Sequence, residues 1–110
     1  MSLFEKAKEI GQEIKESPEF KELQRTSQNI QENADAQQII QDVQTIQKQL
    51  QFSQNAGVQP DQEQLQELDN LKVKIDSNII IRAYMKAEED YTRLMQEVNQ
   101  AISEEINNSE

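Results

Sequence analysis

Neither cysteine nor histidine occurs anywhere in this chain. Without cysteine there is no disulfide framework, no thiolate nucleophile and no thiolate metal site. Without histidine there is no Ser-His or Cys-His nucleophile pair, no HExxH zinc site and no Glu-x-x-His di-iron bundle. The two glycines, Gly11 and Gly57, are too far apart to build a phosphate-cradling loop. We therefore expect a protein that is not an enzyme, has no small-molecule substrate and carries no metal or other cofactor.

Positive charge is scarce, because 11 basic residues stand against 21 acidic ones and leave a net charge of −10. Such a surface repels phosphate backbones and anionic lipid, and the longest basic cluster is only Lys72-Val73-Lys74. No apolar run approaches the ~20 residues of a membrane span, and the amino terminus lacks the pattern of a secretory signal. The sequence predicts a cytoplasmic protein that binds neither nucleic acid nor membranes directly.

Large apolar residues are also few. Leu, Ile, Val and Phe together number 26 of 110 residues, close to the ~20% below which chains are typically disordered. The length fits one domain, and we expect residues 1–110 to form a single helical domain. Because its core is modest, partners that extend the core would stabilise it.

The residues that are abundant favour helices, and their apolar members recur with the helical period. Ser2 and Glu5 form a capping box, and Ser17-Pro18 supplies the N-cap and first residue of a second helix. The apolar stripes of these two helices are Leu3, Ala7, Ile10 and Ile14, then Phe20, Leu23, Ser27 and Ile30. At Asn33-Ala34-Asp35 either a new helix is capped or the helix runs through.

A third stripe and a fourth follow the possible break. They consist of Ile39, Val43, Ile46 and Leu50, then of Leu65, Leu68 and Leu71. Between them Gly57 can end a helix, and Asp61 with Gln64 reads as a second capping box. The 12 glutamines between Gln37 and Gln66 could indicate a disordered, prion-like segment, but the persistent apolar period favours solvated helix surface.

Residues 71–81 permit two structures. Leu71, Val73 and Ile75 alternate like a strand, so a β-hairpin through residues 76–78 is one possibility. A lone hairpin is marginal without other strands, and no other segment reads as strand. We favour a helix ending near Ile75, followed by a new helix capped by Ser77 or Asn78.

The last segment has the most regular pattern, with apolar residues spaced four and three apart over three heptads. This C-terminal seam comprises Ile80, Tyr84, Ala87, Tyr91, Leu94, Val98 and Ala101, widened by Ile81, Met95, Ile102 and Ile106. A helix over about residues 78–107 would be ~45 Å long, whereas a compact domain of this size is only ~30–35 Å wide. We expect the seam to be the interface of a homodimer or larger assembly. Its tyrosines could be partner anchors or ordinary core residues.

These patterns together resemble the YlbF/YmcA family of small bacterial helical regulatory proteins, named for control of competence. The similar segments are Ser17-Pro18-Glu19-Phe20, Ile39-Ile40-Gln41-Asp42-Val43-Gln44, the Gly57…Pro60 loop, the helix start at Asn78 and Val98-Asn99-Gln100-Ala101-Ile102-Ser103. The resemblance covers nearly the whole chain. It implies an all-α bundle of about four to five amphipathic helices with a long C-terminal helix, oligomerising through helix–helix packing.

The resemblance also implies a function. It points to a regulatory adaptor that assembles with related subunits or with a ribonuclease complex in mRNA maturation, affecting competence, sporulation and biofilm formation. Some members of such a complex carry iron–sulfur clusters on cysteines, and this role does not carry over to a chain without cysteine. The alternative is a chaperone-like or structural helical protein whose exposed apolar seam holds diverse clients.

Overall fold

A computed structural model describes residues 2–108 of the chain, and these residues are helical almost throughout. The five helices are α1 Leu3–Glu16, α2 Pro18–Gln31, α3 Ala34–Asn55, α4 Gln62–Ser77 and α5 Ile79–Asn107. Between residues 2 and 108 there is no β-strand. The prediction of an all-α fold with a long C-terminal helix is confirmed. Within the same residues, no helix combines the length and apolar composition that crossing a membrane requires.

Serine side chains begin the first two helices. The Ser2 hydroxyl accepts a hydrogen bond from the Glu5 N–H at 3.0 Å. The Ser17 hydroxyl donates to the Ile14 carbonyl at 2.6 Å and accepts from the Phe20 N–H at 3.2 Å. One side chain therefore both closes α1 and opens α2, and Pro18 follows where a missing N–H costs nothing.

The possible break at residues 33–35 is a real one. Asn33 has an extended backbone, and its side chain accepts from the Ala36 N–H at 2.8 Å, which starts α3 as a new helix. At the other end of α3, Gly57 adopts a left-handed φ of 72°. The Gly57 N–H donates to the Gln54 carbonyl and the Val58 N–H to the Ser53 carbonyl, which is the Schellman arrangement.

Helices α3 and α4 pack against each other. Asp61 caps α4 through the predicted capping box, with both reciprocal bonds to Gln64 present. The connection is short, so the two helices are antiparallel neighbours. Ala36 and Ile46 of α3 are fully buried, and Leu71 of α4 is 3% exposed, so one member of each predicted stripe, Ile46 and Leu71, faces inward.

The segment over residues 71–81 is helical, and the hairpin alternative is wrong. Leu71 is buried and Ile75 half-buried, as residues four apart on one helix face should be, whereas Val73 is 67% exposed. Helix α4 runs two residues past the predicted end at Ile75, to Ser77. The Asn78 side chain then accepts from the Ile81 N–H at 3.0 Å and starts α5.

Replacing Asn78 with alanine is expected to lower the free energy of unfolding by about 1 kcal/mol, because the first turn of α5 would lose its cap. Urea unfolding followed by circular dichroism measures the change. Asn78→Ser is the matched control, since serine also caps helices and should leave stability nearly unchanged. Equal losses of unfolding free energy in Asn78→Ala and Asn78→Ser would show that the side-chain cap does not stabilise the start of α5.

The described residues form two compact units. One comprises the residues up to Ser27 together with those from Ala83 onward, and the other comprises Gln28–Arg82. The first contains α1, most of α2 and most of α5, whereas the second contains α3 and α4. The residues predicted to mediate assembly belong to the first unit, except Ile80.

Candidate protein interaction surface

The seven residues of the C-terminal seam lie on α5, and their burial changes along the helix. Ala87 is 2% exposed, whereas Ala101 is exposed. The five half-buried members are Ile80, Tyr84, Tyr91, Leu94 and Val98. Within one chain the seam is therefore partly covered through its middle and opens towards its C-terminal end.

One of the two seam tyrosines packs inside its own chain. The ring of Tyr91 lies 5.9 Å from the ring of Phe20 on α2, with 53° between the ring planes. This tilted arrangement is favourable for two aromatic rings and fixes the middle of α5 against α2. Tyr91 thus contributes to packing within the first unit.

Tyr84 has a polar partner on its own helix. Hydrogen bonding to the Glu88 carboxylate raises the pKa of Tyr84, and partial burial and the Glu88 charge act in the same direction. The neutral phenol is therefore favoured in the folded chain. Tyr84 as a whole is half-buried on the seam.

The Tyr84–Glu88 bond predicts a pH dependence. Because the folded-state pKa of Tyr84 is raised, the stability it contributes is present below the unfolded-state pKa of ~10 and is lost as the pH rises through the folded-state value. Glu88→Gln should move the titration of Tyr84 towards lower pH, as measured by phenolate absorbance in a Tyr91→Phe background. Glu89→Gln, on another side of α5, should leave it in place. An unchanged titration in Glu88→Gln would contradict the assignment.

The largest uncovered apolar surface of the amino-terminal region lies on α1, where no residue is buried. Leu3 is 76% exposed, Phe4 is 75% exposed and Ile10 is 39% exposed. We call the α1 face the set Leu3, Phe4, Ala7, Ile10, Gly11 and Ile14. The sequence predicted this stripe apart from Phe4 and Gly11. Phe4 and Gly11 are seven residues apart, as Ala7 and Ile14 are, and this spacing places all four on one face of the helix. That spacing is the signal that would have identified Phe4 and Gly11.

A second uncovered apolar surface lies at the carboxyl end of α5. Ile102 is 47% exposed and Ile106 is 67% exposed, beside the exposed Ala101. We call residues 94–107 the α5 tail. Sequence reasoning placed Ile102 and Ile106 at the margin of the seam, whereas the structure makes them its most accessible large residues.

Compared with these apolar surfaces, the polar groups of the described residues offer few sites for binding a ligand or a metal ion. An open pocket of about 360 Å³ lies where α3 begins and α4 ends, and Asp35, Asp42 and Lys74 contribute to its lining. Among residues 2–108, no group of three or more carboxylates, histidines or cysteines is placed to hold a metal ion. An iron–sulfur cluster does not fit this chain, because the sequence offers no thiolate ligand.

Fold and surface together define a small all-helical protein whose accessible features, in the part described, are apolar helix faces. A family model described as "Control of competence regulator ComK, YlbF/YmcA" matches residues 3–107. The chain belongs to the YlbF/YmcA family. That description is one of regulation and names no enzymatic activity.

The chain is also similar to bacterial proteins named UPF0342. A UPF0342 protein of Desulfitobacterium hafniense is 29% identical over 106 residues, which cover 96% of this chain and 81% of that protein. A UPF0342 protein of Oenococcus oeni is 28% identical over 106 residues, covering 96% and 93%. A UPF0342 protein of Staphylococcus saprophyticus is 26% identical over 102 residues, covering 93% and 90%. The similarity thus spans most of each protein rather than one short shared segment.

Proposed function

We propose that this chain is a non-enzymatic regulatory adaptor that works in the cytoplasm by helix–helix assembly with a second copy and with partner proteins. The observation that carries the proposal is the pair of uncovered apolar surfaces, the α1 face and the α5 tail. Contiguous apolar surface of this kind marks protein interaction sites. Membership of a family described by regulation supports an adaptor over a purely structural protein.

The process we propose is mRNA maturation directed by a ribonuclease complex, as the family resemblance implies. The net charge of −10 opposes contact with phosphate, so the adaptor acts on RNA only through a partner that supplies positive surface. The isolated chain should therefore leave labelled RNA unbound at physiological salt. Micromolar binding by the chain alone would contradict this part of the proposal.

Affinity capture from the native organism tests the adaptor function. Wild-type bait should retain a few stoichiometric partners, including components of a ribonuclease complex. A bait carrying Leu3→Ser and Ile102→Ser should lose them, because both apolar surfaces would be interrupted. A bait carrying Val73→Ser and Ile79→Ser is the matched control, since these side chains are 67% and 81% exposed but lie outside both surfaces.

The capture experiment also separates the alternative function. Many unrelated clients at low stoichiometry would favour a chaperone-like protein that holds apolar segments, and would overturn the adaptor. Equal partner loss in both serine baits would show that the two surfaces are not the binding sites. Light scattering on the purified chain tests self-assembly separately, and a monomeric mass would remove the second copy from the proposal.

A further inference from the structure

The apolar strip of the α5 tail has negative charge along one of its edges. Glu97 and Glu104 are seven residues apart on the helix, so they lie on the same side of the strip, next to Ala101. Both glutamates are exposed. The opposite edge carries the neutral side chains of Asn99 and Ser103. The strip therefore has one acidic margin and one uncharged polar margin.

A third carboxylate lies within the strip itself. Glu105 follows Val98 by seven residues and Ala101 by four, which places it on the apolar side of the helix. A purely apolar partner covering this position would remove water from the carboxylate and give it no partner in exchange, which is costly. A partner that covers the strip therefore binds best when it brings a positive group to Glu105.

The chain itself does not neutralise these charges. Arg93 is its last basic residue, and it pairs with Glu89 at 3.3 Å and with Asp90 at 3.4 Å. Glu104 accepts a hydrogen bond from the Gln100 side-chain amide at 3.1 Å, which brings no positive charge. Within residues 2–108, none of the three glutamates of the α5 tail takes part in an ion pair. Their charges are therefore available to a partner.

A second copy of the tail complements this strip less well than a cationic partner does. If two tails packed antiparallel, the Glu97 edge of one copy would lie against the same edge of the other, and like charges would meet. If they packed parallel and in register, Glu105 of each copy would lie at the same height near the centre of the contact. A second copy can gain apolar contact here, but it brings no opposite charge.

We propose that the α5 tail docks an amphipathic helix of a partner protein, whose apolar stripe is flanked by lysine or arginine. This inference rests on the adaptor function proposed above and names the chemistry of its partner. Cations seven residues apart on the partner helix would lie ~10.5 Å apart, which is the rise between Glu97 and Glu104. A second copy and the partner compete for the tail, because both cover the same strip.

Two matched synthetic peptides test the charge requirement on the full chain. Each peptide is an amphipathic helix of three heptads with leucine at positions a and d. One carries lysine and the other glutamate at the flanking positions, so that like charges oppose self-association in both. The labelled peptides are titrated with the chain and followed by fluorescence anisotropy. The lysine peptide should bind at least about tenfold more tightly than the glutamate peptide.

Variants distinguish a site on the tail from general attraction to an acidic chain. Glu97→Gln together with Glu104→Gln should weaken binding of the lysine peptide about three- to tenfold. Glu9→Gln together with Glu16→Gln is the matched control, because it removes the same charge at the same spacing from exposed positions on the polar side of α1. The control should change the affinity by no more than about twofold.

The apolar part of the site is tested by Ile102→Ser, which should weaken the lysine peptide at least about fivefold. Val73→Ser, at a 67% exposed position outside the tail, should not weaken it. Equal affinity of the two peptides, or equal weakening by the two glutamine pairs, overturns the inference. If neither peptide binds while Ile102→Ser lowers the dimer mass in light scattering, the second copy alone covers the tail, which also overturns it. Affinity capture of stoichiometric partners decides the adaptor function separately from these results.

Discussion

Replacing Ile46 with alanine is expected to lower the free energy of unfolding by about 2–5 kcal/mol, the range for emptying a fully buried aliphatic site. Ile46 is 0% exposed in the middle of α3 and is the largest fully buried side chain among the described residues. Few residues share its burial, so the chain has little with which to refill the cavity. Against a typical total of 5–15 kcal/mol, such a loss would leave a variant that is partly unfolded at moderate temperature.

The measurement is urea unfolding followed by circular dichroism, with Ile79→Ala as the matched control. Ile79 is 81% exposed, so the same chemical change there should alter stability by no more than about 0.5 kcal/mol. Ile46→Val should give an intermediate loss of about 0.5–1.5 kcal/mol. Similar losses at Ile46 and Ile79 would show that α3 does not bury the centre of the second unit.

Apolar spacing predicted four to five helices and most of their boundaries, and it left open whether residues 33–35 break a helix. Cap residues located most of the helix starts. Each cap side chain accepts a hydrogen bond from a backbone N–H that would otherwise have no partner in the first turn, as at Ser17, Asn33, Asp61 and Asn78. Where a cap could be recognised, the boundary was predicted within one or two residues. The end of α4 shows the size of this error, because the predicted stop near Ile75 lies two residues before Ser77.

The same spacing missed buried residues that are not large and apolar. Thr26 is 0% exposed, although Ser27 was assigned to the stripe of α2 and is only half-buried. The Thr26 hydroxyl donates towards the Glu22 carbonyl at 2.8 Å and the Leu23 carbonyl at 3.1 Å, so its burial leaves no unsatisfied polar group. The spacing of apolar residues cannot predict the burial of a polar side chain whose hydrogen bonds are made within its own helix.

Spacing also shows which face of a helix is apolar, but not what covers that face. The stripes of α1 and α3 look alike in sequence, yet Ile46 is fully buried and Leu3 is 76% exposed. The difference arises from tertiary packing, because α3 has α4 as a neighbour and no residue of α1 is buried. For the same reason the sequence placed the candidate interface along the whole seam, whereas the accessible part of it lies at the α5 tail.

The seam itself yields the last prediction, which concerns Leu94→Glu. Leu94 is half-buried at the start of the α5 tail, so a glutamate there would carry a charge into an apolar contact. In a two-fold assembly both copies would carry that charge, and in such a contact the two can approach one another. We expect Leu94→Glu to give monomers or unfolded chain. Gln96→Glu, with the same added charge on an exposed position, should change little.

Mass and stability must be measured on the same sample, because part of the seam packs within the chain. Light scattering gives the mass and thermal unfolding gives the melting temperature, for Leu94→Glu and for Ala101→Glu. Ala101 is exposed on the same seam, so its substitution should weaken association without lowering the stability of the monomer. Dimers that persist in Ala101→Glu, with a lowered melting temperature in Leu94→Glu, would mean that Leu94 serves only its own chain. An unchanged mass and melting temperature in Leu94→Glu would remove the seam from the interface altogether.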